Sequence, residues 1–159
     1  MGMPAASMLS VAAAQFGRPG QALKGLEKAV AHYRTIGRPP SEIISELGLG
    51  RFYLEVLKAK GQVGLGSMAR NVGFIVKHAS AARKRAIAHL TRAVELSRDH
   101  DAFGFMGPAY LFLGRIHAQN GNTQEARTCF RKAMEVFENA VQTSTWPRQG
   151  GTSSKRGRP

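Results

Sequence analysis

AYLFLGRIHAQNGNTQEARTCFRKAMEVF, residues 109–137, is the stretch of the sequence that decides the fold. Tyr110 and Leu113 open a series of apolar residues at the three-and-four spacing of one helical face. Gly121 can adopt the left-handed conformation that ends a helix, and Asn122 can cap the helix that follows. The second helix has an inner stripe formed by Ala126, Phe130, Ala133 and Phe137. The stretch therefore predicts two antiparallel helices joined by a tight turn.

The same hairpin pattern recurs upstream. The first helices of two units share a Leu-Gly-Arg tripeptide, at residues 49–51 and 113–115. The second helices of three units share one spacing of apolar residues, in the sets Ala22, Leu26 and Ala29; Ala86, Leu90 and Ala93; and Ala126, Phe130 and Ala133. Small residues at these positions let antiparallel helices approach closely, while the larger ones fill the layer between neighbours. One hairpin cannot bury its apolar face alone, so we expect about three to stack.

The spacing between units is constant apart from one insertion. Leu9 and Leu49 are 40 residues apart, and so are Ala86 and Ala126. Leu113 and Ala126 are 13 residues apart, whereas 37 residues separate Leu49 from Ala86. The difference between 37 and 13 predicts a 24-residue insertion between the two helices of the middle unit.

These patterns predict an all-α fold in which about three helical hairpins form a short α-solenoid. The predicted helices are 4–16, 19–36, 41–60, 67–79, 81–99, 104–120 and 122–142. We expect a repeat domain over residues 1–142, with the helical insertion at about 62–85, and a basic disordered tail over 143–159. The predicted core is Leu9, Ala22, Leu26, Ala29, Tyr53, Ala86, Leu90, Ala93, Leu113, Ala126, Phe130 and Ala133.

The pattern resembles the tetratricopeptide repeat. The last unit carries the family's signature positions at Tyr110, Leu113, Gly114, Ala126, Phe130 and Ala133. It departs from the signature at His117, where tyrosine is usual, and at Glu138, where proline often closes the repeat. The first unit is degenerate, with Ser10 in place of glycine. The resemblance covers roughly residues 3–140 and implies a module that binds other proteins.

Residues 67–121 are also similar to the carboxy-terminal repeat region of bacterial multidomain adenylate/guanylate cyclases. In those proteins a cyclase domain and an ATP-binding module precede the repeats. Neither can fit here before repeats that begin within about ten residues of Met1. The resemblance therefore implies a free-standing or truncated regulatory region in bacterial signalling, and it carries over no catalytic residue.

Charge and composition limit the function classes. The net charge is +13, and no acidic residue lies between Glu55 and Glu95, which favours anionic partners. No apolar run reaches the roughly 18 residues that span a bilayer, and no Lys or Arg precedes Arg18 as in a signal peptide. We therefore expect a cytoplasmic protein. Cys129 is the only cysteine, so it can form no internal disulfide.

No motif in the sequence predicts catalysis. The loop GQVGLGS at 61–67 lacks the Gly-Lys-Ser/Thr and the preceding strand of a phosphate-binding loop, so a linker is the better interpretation. The histidines lack metal-site spacing, and no nucleophile–base or paired-carboxylate arrangement is evident. We therefore expect no enzyme activity, no metal and no cofactor.

Two function classes remain, and the first is a protein-interaction module. Arg51 and Arg115 follow the small residue of successive first helices, a place that faces the concave groove in tetratricopeptide arrays. Two arginines on successive units could bind carboxylates bidentately, which predicts an acidic peptide or protein partner. The full predicted groove is Ile44, Leu47, Arg51, Leu54, Leu111, Arg115 and Gln119. The sequence leaves the oligomeric state open.

The alternative class is binding of nucleic acid or another polyanion through the basic insertion and tail. The predicted patch is Lys77, Arg83, Lys84, Arg85 and Arg92. If one helix ran unbroken through Ser80, a stripe able to hold phosphate or to face solvent would comprise His78, Arg85, His89 and Arg92. Trp146 is the only tryptophan, and aromatic residues do not alternate with basic ones as base stacking requires. This favours the protein-interaction class.

Overall fold

The computed structural model describes residues 19–62 and 72–143. These residues form five α-helices and one 3-10 turn, and they contain no β-strand. The helices are α1 (Pro19–Thr35), α2 (Pro39–Gln62), α3 (Val72–Asp99), α4 (Met106–Gln119) and α5 (Thr123–Thr143), with the 3-10 turn at Phe103–Phe105 before α4. The predicted all-α class is confirmed. The predicted helix 4–16 and the core residue Leu9 lie outside the described residues.

The helices pack as a stack of hairpins. α2 pairs with α3 and α4 pairs with α5, while α1 packs on α2 and α3 packs on α4. The first helices of the two complete hairpins, α2 and α4, also contact each other. Packing between sequential neighbours is the arrangement of tetratricopeptide-like helical repeats, in which each unit covers the apolar face of the next.

Short turns set the direction of each hairpin. Gly37 follows α1 and Gly121 follows α4, and their φ angles are positive, +61° and +77°. Glycine adopts this conformation after the end of a helix without the strain that a side chain would cause. Asn122 follows directly, and its carbonyl accepts the first helical hydrogen bond of α5, from the N–H of Ala126 at 3.0 Å. The predicted break at Gly121–Asn122 is confirmed.

The middle hairpin differs from the prediction in one respect. The separate helices predicted at 67–79 and 81–99 are wrong, because α3 runs without interruption through Ser80. Alanine, lysine and arginine surround this serine, and their high helix propensity exceeds the small cost of one serine. The part of the predicted insertion from residue 72 onward therefore forms the first turns of the second helix itself.

The core lies between the hairpins and follows the predicted spacing, with one correction. Phe130 was expected in the core, but it is only half-buried, whereas Leu90 at the matching position is fully buried. Leu90 lies between two hairpins, but Phe130 belongs to the last helix of the described chain. The other predicted core residues within the described ranges are buried.

Candidate partner-binding surface

The two hairpins repeat one close contact between their helices. A Cβ added at Gly50 in α2 would overlap the Cγ of Leu90 in α3. A Cβ added at Gly114 in α4 would lie 2.5 Å from Cε1 of Phe130 in α5. The same glycine-to-large-residue contact therefore occurs at matching positions of both units, which supports their structural equivalence.

The predicted groove arginines follow these glycines directly. Arg51 and Arg115 are both exposed, one on each first helix. Four residues before each arginine lies a half-buried leucine, Leu47 or Leu111, on the same helical face. Each unit therefore presents a leucine at the edge of the core with an arginine one turn further along.

The other predicted groove residues differ in their accessibility. Ile44 is 43% exposed and Gln119 is exposed, so both are accessible at the surface of their helices. Leu54 is fully buried and therefore belongs to the core, not to an open wall. The three-and-four spacing extends the stripe from Leu47 to Leu54, but of these two leucines only Leu54 lies fully inside the core.

The two arginines have no carboxylate partner within residues 19–62 and 72–143. The nearest acid by helical spacing, Glu55, pairs with Lys58 at 2.8 Å rather than with Arg51. The Arg115 guanidinium lies 5.9 Å from the ring centroid of Phe112, in cation–π geometry. Both guanidinium groups can therefore bind an external carboxylate without the loss of an existing ion pair.

A polar cluster around two buried carboxylates, which the sequence patterns did not predict, joins α1, α2 and α3. Arg34 donates to Glu42 at 2.9 Å and to Glu46 at 3.0 Å, and Nδ1 of His89 lies 2.6 Å from the second oxygen of Glu46. Both carboxylates are buried on α2. The sequence does contain a signal for this cluster, because Glu42 and Glu46 lie one turn apart on a largely apolar helix. A carboxylate that such a helix buries requires a charged or hydrogen-bonding partner.

The cluster continues along α3. The His89 ring stacks on Tyr53, with centroids 5.9 Å apart and planes within 6°. Arg85 donates to the Tyr53 hydroxyl at 3.1 Å and lies over the same ring. No buried side-chain nitrogen or oxygen among the described residues lacks a hydrogen-bond partner. The buried polar atoms of the cluster therefore all have partners, and the cluster connects α1, α2 and α3.

These contacts divide the predicted polyanion patch. The helix is continuous, as the stripe required. His89 is half-buried beside Glu46 of α2, whereas Arg85 donates one hydrogen bond to Tyr53 and is still exposed. Arg92 lies 3.6 Å from Glu95, and Arg83 and Lys84 are exposed. The side chains of Lys77 and His78 lie outside the described residues.

Three groups among the described residues have a shifted pKa. The hydrogen bond to Glu42 raises the pKa of Arg34, and the hydrogen bond to Tyr53 raises the pKa of Arg85, so both remain charged. Burial raises the pKa of the Cys129 thiol, which opposes formation of the nucleophilic thiolate.

The described residues contain no group of three or more potential metal ligands among His, Cys, Asp and Glu. None of the helices within the described ranges has the length and apolar character to cross a membrane.

Comparison with known proteins agrees with the hairpin geometry. Residues 107–140, which comprise α4 and most of α5, match the family model of the tetratricopeptide repeat. No curated protein and no solved structure matches the chain. The last described hairpin is therefore similar to a tetratricopeptide repeat, a unit that generally mediates protein–protein interaction in the proteins that carry it.

Proposed function

We propose that the protein binds an acidic peptide or an acidic segment of a partner protein on the surface formed by α2 and α4. The observation that carries this proposal is the repeated placement of Arg51 and Arg115, exposed and without a carboxylate partner among the described residues. Each lies beside a half-buried leucine, so apolar contact and charge are combined at the same place on successive units.

The chemistry of arginine defines the ligand class. A guanidinium group binds a carboxylate through two parallel hydrogen bonds, and a lysine cannot reproduce this geometry. Two such groups on rigid helices would select a ligand with two carboxylates at a fixed separation. The loss of one charge-assisted contact weakens the binding free energy by about 1.5–3 kcal/mol, which corresponds to a roughly ten- to hundredfold lower affinity.

The similarity of residues 67–121 to the repeat region of nucleotide cyclases supports a narrower form of the proposal. In this form the partner is a cyclase or ATPase module on a separate chain, and the protein acts as its regulatory subunit. The narrower form rests on the sequence resemblance alone.

A pull-down from nuclease-treated lysate identifies the partner, and titration of the purified partner then tests the surface. We expect Arg51→Ala/Arg115→Ala to abolish binding and Arg51→Lys/Arg115→Lys to weaken it strongly. Arg83→Ala/Lys84→Ala removes two exposed charges of α3 and is the matched control, so it should leave the affinity unchanged.

The polyanion alternative predicts the opposite pattern. The α3 double variant would then lose binding, and affinity for random oligonucleotides would fall steeply with salt. Unchanged affinity in the Arg51→Ala/Arg115→Ala variant, with retained helical content, contradicts the proposed surface.

A further inference from the structure

The exposed face of α5 carries large apolar side chains in contact with solvent. Met134 is 60% exposed, Phe137 is 43% exposed and Val141 is 71% exposed. Their spacing of three and four residues places them in one stripe along the edge of the contact between α4 and α5, where one side of the Phe137 ring lies against Gly107 of α4. A contiguous apolar stripe on a surface helix often marks a site of interaction with another molecule.

The charges beside this stripe are arranged to complement themselves. Arg131 and Glu138 lie seven residues apart on the same side of the stripe, and the midpoint between them is level with Met134. Within one copy, Arg131 lies 3.9 Å from Glu135, a long and exposed pair that a second carboxylate can share. When two α5 helices cross antiparallel at Met134, Arg131 of each copy lies level with Glu138 of the other.

The net charge of α5 is also compatible with self-association. The helix contains three basic residues, Arg127, Arg131 and Lys132, and three acidic residues, Glu125, Glu135 and Glu138, so its formal charge is zero. A second copy of a chain with a net charge of +13 meets repulsion over most surfaces, but not at a neutral helix.

We propose that the protein forms a twofold-symmetric dimer through the exposed face of α5. Met134 packs against its counterpart at the symmetry axis, and Arg131 of each copy pairs with Glu138 of the other. The interface is isologous, since one patch serves both copies. It uses the exposed face of the last helix and leaves Arg51 and Arg115 accessible, so it is independent of the proposed partner-binding surface.

Sedimentation velocity over a concentration series up to the solubility limit tests the dimer, with far-UV circular dichroism as the check on folding. We expect a monomer–dimer equilibrium for the unchanged chain and monomer only for Met134→Glu. Arg131→Glu and Glu138→Arg should each weaken the dimer by about tenfold or more, because each replaces two attractive pairs with two repulsive ones.

The decisive sample is an equimolar mixture of the Arg131→Glu and Glu138→Arg variants. In the antiparallel heterodimer, the two introduced side chains face each other with opposite charges, and so do the unchanged Arg131 and Glu138. The mixture should therefore dimerise as well as the unchanged protein, and the double variant carrying both changes on one chain should recover for the same reason.

Two outcomes overturn the proposal. One is an unchanged chain that stays monomeric at every concentration, and the other is a mixture no more associated than its separate components. The Arg51→Ala/Arg115→Ala variant should dimerise normally, which separates this test from that of partner binding.

Discussion

Gly50→Ala is the substitution that most directly tests the close approach of α2 and α3. The new methyl group would overlap the Cγ of Leu90 and lie 2.5 Å from its Cδ2. Leu90 is fully buried between two hairpins, so it has no open space into which it can move. Insertion of a methyl group into a packed core costs about 1–3 kcal/mol.

Two effects determine the net result. Alanine is the better helix former and offsets about 1 kcal/mol of the steric cost. The expected net loss for Gly50→Ala is therefore about 0–2 kcal/mol. Gly114→Ala is the matched control, because its close neighbour Phe130 is half-buried and its ring can move toward solvent. We expect the stability of the Gly114→Ala variant to change by less than about 0.5 kcal/mol.

Urea denaturation followed by far-UV circular dichroism measures both values, and a double-mutant cycle isolates the contact. Leu90→Ala alone should cost about 2–5 kcal/mol, because it leaves a cavity in the core. In that background Gly50→Ala should no longer destabilise the protein, so the two changes should couple by about 1–3 kcal/mol. Additive effects, or a Gly50→Ala variant more stable than the unchanged protein, would refute the close approach.

Three further measurements follow from the described contacts. Phe130→Ala should cost clearly less than Leu90→Ala in the same urea assay, because Phe130 is only half-buried; equal losses would place both in the core. Glu46→Gln should lower the free energy of unfolding by about 1.5–3 kcal/mol, because it weakens the hydrogen bonds of a buried carboxylate to charged groups. The control Glu55→Gln, at an exposed position, should lower it by less than about 0.5 kcal/mol. Equal losses would contradict the buried position of the Glu46 carboxylate. Iodoacetamide should alkylate Cys129 more slowly in the folded protein than in urea at about pH 8, because burial raises the pKa of the thiol. The alkylation rate of the folded protein should rise with pH through a midpoint above that of the unfolded chain. An equal or lower midpoint would contradict the raised pKa.

The sequence by itself determined the repeat pattern and the helices of the described residues, apart from the break predicted at Ser80. Three-and-four spacing marks the buried face of each helix, and Gly121 marks a break because it can adopt positive φ without strain. The alignment of Gly50 with Gly114, and of Leu90 with Phe130, follows from spacing alone and agrees with the observed contacts. These features are local, so they can be identified along the chain before any tertiary contact is known.

Only the tertiary structure decided how deeply each residue is buried and which polar groups meet. Leu54 and Leu47 share one apolar pattern, yet Leu54 is fully buried and Leu47 is half-buried, because neighbouring helices cover α2 unevenly. The contact between Glu46 and His89 joins residues 43 positions apart, on two helices whose rotation about their axes no local pattern fixes. The packing of α2 on α3 places His89, a candidate phosphate ligand in the sequence, in a half-buried position beside the buried carboxylate of Glu46.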